Sequence, residues 1–169
     1  MVLVLGYGNT LRSDDGFGPA VASYLQCKVS PVQAESTSGC SLEILSEQQL
    51  LPEHAEKVAG KSLVIFVDAS QTTETGRIVC LELTRGAEAA SQGTDSILPH
   101  SFSPATILAL ADSVYGHSPE AYLYTVGAAS LALGEKLSPP VEAAVPKVVE
   151  MILSKLAQSN RGCPGRGER

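Results

Sequence analysis

At 169 residues the chain is long enough for one domain with a substantial core, since a ~150-residue domain buries roughly 68–70 % of its unfolded surface. Its 44 % hydrophobic and 18 % charged residues, with a formal net charge of −6, exclude a disordered chain and lack the cationic surplus that phosphate binding needs, so nucleic acid is not an expected partner. No apolar run reaches the ~18 residues of a membrane span, and Met1 leads straight into a strand without a basic leader, which predicts a cytoplasmic protein with no membrane partner.

Val2–Leu5 is short, apolar and β-branched, as a strand covered on both faces should be, and Phe17, Val21, Tyr24 and Leu25 set a helical spacing over 16–28. A strand is expected over 32–36. Leu42, Ile44, Leu45, Leu50 and Leu51 then suggest a helical stretch interrupted by Pro52, with a second helical piece over 52–59. Leu63–Val67 reads as a buried strand ending abruptly at Asp68, and the partial alternation over 77–83 as an edge strand paired antiparallel to its neighbour.

After a polar, small-residue loop over 86–97, Ser103 and Pro104 have the chemistry of a helix cap and first turn, predicting a helix through Tyr115. A strand over 121–126, a loop over 127–137 and an amphipathic helix over 141–156 complete a domain spanning 1–158, with 159–169 expected as a disordered tail. Strands alternating with helices predict an α/β three-layer sandwich, its central sheet mixed but mainly parallel and flanked by helices. In such sheets ligands gather at the carboxyl ends of strands, here Gly6–Asp15, Asp68 and Gly127.

The opening turn, GYGNTLRSDDGFG over Gly6–Gly18, resembles a phosphate loop in outline only. Leu11 stands where the third glycine of a dinucleotide fingerprint belongs, and Asp14 and Asp15 place negative charge where phosphate oxygens would sit. Adjacent helical residues point about 100° apart, so Asp14 is assigned to capping and turn structure, leaving Asp15 to face the crevice; a second acid complementing the helix dipole is the plainer alternative. An acid directly after a buried strand needs a cation or donors, which marks Asp68, although capping of the turn through Ser70 also accounts for it. His100, before the Ser103 cap, is by itself an ordinary loop histidine; together the three residues match a divalent ion of the nickel, zinc or iron kind.

His54 and His117 are read as solvent-exposed and without function. Cys27, Cys40, Cys80 and Cys163 form no CxxC pair, which excludes a zinc knuckle and a disulfide framework and leaves them expected as isolated buried thiols. No GxSxG elbow or activated cysteine indicates a covalent hydrolase.

The segments GYGNTLRSDDGFGPAV, LVIFVDAS, HSFSPATILALADSVYG and GEKLSPPVEAAV, in that order and spanning Val2 to Leu156, resemble the hydrogenase maturation proteases. The resemblance implies an endopeptidase that removes a C-terminal extension from the large-subunit precursor of a nickel-iron hydrogenase. It implies Asp15, Asp68 and His100 as catalytic and metal-site residues, the nickel being supplied by the precursor and serving as the recognition element. Asn9, Asp14 and, in the loop over 36–41, Gly39 join them as substrate-binding candidates. The glycine-rich element of that family is reduced to Gly39, and two further departures bear on substrate choice: the segment VGAASLALGEKLS around Gly127 lacks the polar residues common after the glycine, and the tail over 161–169 has no counterpart. A non-catalytic metal- or precursor-binding maturation factor on the same fold is the alternative, and a nucleotide-binding α/β protein a third. The oligomeric state is left open.

Overall fold

The computed structural model describes residues 1–29, 41–84 and 102–160. Five strands, β1 (Val2–Tyr7), β2 (Leu42–Glu47), β3 (Leu63–Thr75), β4 (Ile78–Leu83) and β5 (Glu120–Gly127), form one sheet in the order β2-β1-β3-β5-β4. All neighbours are parallel except β4, which runs antiparallel to β5 at one edge. The helices are α1 (Phe17–Lys28), α2 (His54–Ala59), α3 (Pro104–Tyr115), α4 (Pro139–Glu142) and α5 (Val145–Asn160).

Strand alternation sorts the apolar residues onto two faces. Val2 and Val4 of β1, Leu63, Ile65 and Val67 of β3, and Val126 of β5 pack with Phe17, Val21 and Leu25 of α1 and with Val145, Val148 and Ile152 of α5. The intervening residues Leu3, Leu5, Val64, Phe66 and Leu123 pack with Val58 of α2 and with Ile107 and Ala111 of α3. Each such side chain, fully buried, contributes roughly 1.5–3 kcal/mol, so both faces must be covered and the expected three-layer α/β sandwich follows.

Several elements have the predicted form. Ser103 caps α3, its hydroxyl accepting from the Thr106 N–H at 3.1 Å, and Gly116 ends the helix in the left-handed region at φ 68°. The edge strand β4 and the strand β5 lie where their patterns indicated.

Others are corrected. The stretch from Leu42 is strand β2 rather than helix, because parallel pairing with β1, Val2 to Leu42 through Tyr7 to Glu47, outweighs a pattern that fits either period. Leu42 and Ile44 turn to the α1 face and Leu45 to the other, as a strand requires. Strand β3 does not stop at Asp68 but continues to Thr75, since β5 goes on pairing with it through Ser70 before the register shifts. The final helix is divided into α4 and α5, with Pro139 and Pro146 each tolerated in a first turn, and it runs through Asn160, into the segment expected as tail. Cys27 and Cys80 are exposed rather than buried. The expected strand over 32–36, the loop over 86–97, Cys40, Cys163 and the tail over 161–169 fall outside the described residues.

Among the described residues, no helix is long and apolar enough to cross a membrane.

Helix α1 can lie against the sheet only because Gly6 and Gly18 meet backbone to backbone. A methyl group at Gly18 would overlap the Tyr7 backbone and the Val67 carbonyl. Overpacking against main chain cannot be relieved by a rotamer change, so Gly18→Ala is expected to lose about 3 kcal/mol in urea unfolding. A variant within about 0.5 kcal/mol of the parent would contradict this close approach.

Candidate active site

Strand β1 leads through α1 to β2 on one side, while β3 lies on its other side and is reached through α2 on the opposite face. The strand order therefore reverses between β1 and β3, which opens a crevice above their carboxyl ends. Gly8 makes the exit from β1 possible. Its φ of 140° is a glycine conformation, and a Cβ there would collide with the Asp15 carbonyl.

The turn that follows is built from its own side chains. Asn9 Oδ1 accepts from the Leu11 N–H at 2.9 Å, the Arg12 N–H donates to the Asn9 carbonyl at 3.0 Å, and Ser13 takes the left-handed region at φ 46°. A 3-10 turn over Ser13–Gly16 then hands the chain to α1. Asp15 Oδ2 accepts from the Asn9 N–H at 3.0 Å, so the carboxylate is held back over the end of β1 and stays partly exposed to the crevice.

Asp14 points the other way. It is 0 % exposed, and its carboxylate accepts from the Ala129 N–H at 2.8 Å, the Ser130 N–H at 3.0 Å, the Ser138 N–H at 2.6 Å and the Ser138 hydroxyl at 2.9 Å. Burial alone would raise its pKa, but the donors from Ser138, Ser130 and Ala129 outweigh it and hold the carboxyl below the ordinary aspartate value. Asp14 is thus more than the local cap that sequence suggested: it joins the first turn to the 128–138 loop, and its oxygens are committed to that loop.

Asp68 lies one residue past the last β1–β3 pair, Gly6 with Val67, where β1 turns away and β3 continues. Its Oδ1 accepts from the Ala69 N–H at 2.8 Å. Burial raises its pKa to about 7; the Tyr7 hydroxyl and the Ala69 N–H oppose the rise, and the negative charge of Asp15 adds to it. The two carboxyls therefore share one crevice, and Asp68 can change charge near neutral pH without leaving its place.

His100 and Gly39 fall outside the described residues. Among the described residues no group of three histidine, cysteine, aspartate or glutamate side chains is placed to hold a metal.

His54 was expected to be solvent-exposed but is 3 % exposed. Its Nδ1 accepts from the Leu51 N–H at 2.9 Å, and its Nε2 stands 3.6 Å from Glu47 Oε1. The short helix α2 turns it inward, which polar neighbours in sequence concealed. His117 is exposed as expected, with Nε2 3.1 Å from the Lys61 carbonyl. Sequence reasoning also passed over Tyr7, which ends β1 in register with Glu47 of β2 and stands near Asp68. Only strand pairing brings them together.

Replacing Asp14 by asparagine leaves buried donors facing an amide and is expected to cost about 3 kcal/mol. A carboxyl with a lowered folded pKa stabilises fully above its unfolded value of about 3.9, and that contribution is lost as pH falls through the lower folded value. The difference between parent and Asp14→Asn in chemical denaturation should accordingly be constant from about pH 5 upward and narrow below about pH 4. A pH-independent difference would contradict a charged clamp.

Searches of the sequence against family models and against curated proteins find no match. Solved structures are similar over nearly the whole chain. The hydrogenase-maturating endopeptidase HybD of E. coli is 27 % identical, with 94 % of this chain and 93 % of that one covered and a TM-score of 0.75. The hydrogenase 2 maturation peptidase of a Thaumarchaeota archaeon is 29 % identical, covering 92 % and 97 %, with a TM-score of 0.64. The NiFe hydrogenase maturation protease HycI of Thermococcus kodakarensis, 23 % identical over 93 % and 92 % at a TM-score of 0.67, shares the fold. Taken with the motifs at the β1 and β3 ends, these likenesses bear out the resemblance of the chain to the hydrogenase maturation proteases.

Proposed function

We propose that this protein is a cytoplasmic endopeptidase that removes the C-terminal extension of a hydrogenase large-subunit precursor once nickel has been inserted. The observation that carries the reading is the convergence of Asp15 and Asp68 at the switch-point crevice, on a fold shared with endopeptidases named for hydrogenase maturation. His100 is the third member of the proposed site. Phe102, two residues beyond it, packs on the sheet face toward which strand alternation turns Asp68, and this supports the assignment.

Nickel belongs to the precursor in this scheme, as part of the substrate. Asp15, Asp68 and His100 offer oxygen and nitrogen ligands to it, a donor set suited to such an ion. A carboxyl with a pKa of about 7 gives up its proton readily when a cation approaches. Docking the nickel on these residues holds the neighbouring peptide bond in the crevice, where water adds to the carbonyl carbon and the C–N bond breaks, leaving a carboxylate and an amine. Asn9 and Gly39 are the proposed substrate-facing positions, while Asp14 acts through the loop it anchors.

Purified protein mixed with nickel-loaded precursor should release the C-terminal extension, detected by mass, and should leave nickel-free precursor intact. No release from either precursor overturns the protease reading; equal release from both overturns nickel recognition. Asp15→Asn and Asp68→Asn should each slow release at least about a hundredfold while precursor binding persists. Unchanged release in both variants would remove these carboxylates from the site, and a parent that binds precursor without cutting it would favour the non-catalytic maturation factor.

A further inference from the structure

Tyr7 ends β1 at the level of Asp68. Gly6 with Val67 is the last pair of the two strands, Tyr7 and Asp68 follow it, and alternation turns both toward α2 and α3, the side of Leu5 and Phe66. Tyr7 is 8 % exposed and packs within that apolar layer. Among the described residues, its hydroxyl is the only buried side-chain polar atom that completes no hydrogen bond of full geometry, although it stands near enough to Asp68 to lower that carboxyl's pKa. Such a group costs roughly 1–3 kcal/mol, and a phenylalanine ring would fill the same space without it.

The chemistry beside the hydroxyl accounts for its presence. Burial first, then the negative charge of Asp68, keeps the phenol protonated, so it can only donate toward that carboxylate. One Asp68 oxygen already holds the Ala69 N–H. A donor from Tyr7 therefore complements a carboxylate whose outward lone pairs are to be kept for the crevice, as outer donors do for ligating carboxylates in general.

We propose that Tyr7 is a positioning residue for Asp68: its hydroxyl closes a hydrogen bond to the carboxylate when substrate draws Asp68 into its working orientation, and so sets which oxygen faces the crevice. This inference rests on reading the crevice as the proteolytic site.

The full chain carries five tyrosines and no tryptophan, so carbon-13 labelling at the tyrosine ring carbon bonded to oxygen gives five signals, with that of Tyr7 identified by its loss in Tyr7→Phe. Asp68→Asn should displace the Tyr7 signal; an unmoved signal overturns the pairing. With nickel-loaded precursor, Tyr7→Phe should lower kcat about 10- to 100-fold with KM within about twofold, and its melting temperature should equal or exceed the parent's. Parent-like kcat overturns the positioning role. A destabilised Tyr7→Phe also overturns it, because the hydroxyl would then serve the fold. If the parent itself releases nothing from any precursor, the protease reading fails, and the Asp68→Asn spectrum alone decides whether Tyr7 and Asp68 are paired.

Discussion

A single buried carboxylate organises the crevice end of this molecule. Asp14 has no contact with solvent and receives donors from Ala129, Ser130 and Ser138, more than a hundred residues further along the chain. An ionised carboxylate tolerates such burial only when its lone pairs are filled, and here backbone N–H groups fill them, so the 128–138 loop must take up one conformation to do so. Ser13 adds to the same seam, its N–H donating to the Gly134 carbonyl at 2.7 Å. Asp15 is the next residue, and its direction follows from that anchorage.

The crevice itself follows from where strands stop. Strand β1 leaves the sheet at Gly8 while β3 continues to Thr75, so the end of β1 is open above and the flank of β3 is exposed beside it. Tyr7 pairs with Glu47 and Asp68 with Thr125 at this level, one residue beyond the last pair of β1 with β3. Apolar packing beneath them and partial exposure above leave Asp68 poised near neutrality. Carboxylates at this level repel phosphate, so the glycine-rich turn in the position of a nucleotide loop does not serve as one.

Legibility varied with how local the causes were. Strand β1, helix α1, the Ser103 cap of α3 and the edge strand β4 were readable because periodicity and capping chemistry act over a few residues. Strand β2 was misread because Leu42, Ile44 and Leu45 satisfy a helical and an extended pattern alike, and only the offered edge of β1 decides between them. His54 looked exposed among Glu53, Glu56 and Lys57, yet α2 packs the imidazole against β2. The candidate acids Asp15 and Asp68 were named from their positions at a strand–helix turn and past a buried strand, whereas the nearness of Tyr7 to Asp68 depends on parallel pairing between segments about sixty residues apart.

By itself, then, the chain order of strand, glycine turn, paired acids and helix determined an α/β sandwich with carboxylates at its ligand-bearing edge. Glycine conformation, side-chain alternation and helix caps are properties of neighbouring residues and can be read without a partner. Only the tertiary structure decided what each acid does. Asp14 and Asp15 are chemically identical neighbours, and their roles separate because the 128–138 loop supplies donors to one of them, while the other, held over the end of β1, is left facing the crevice.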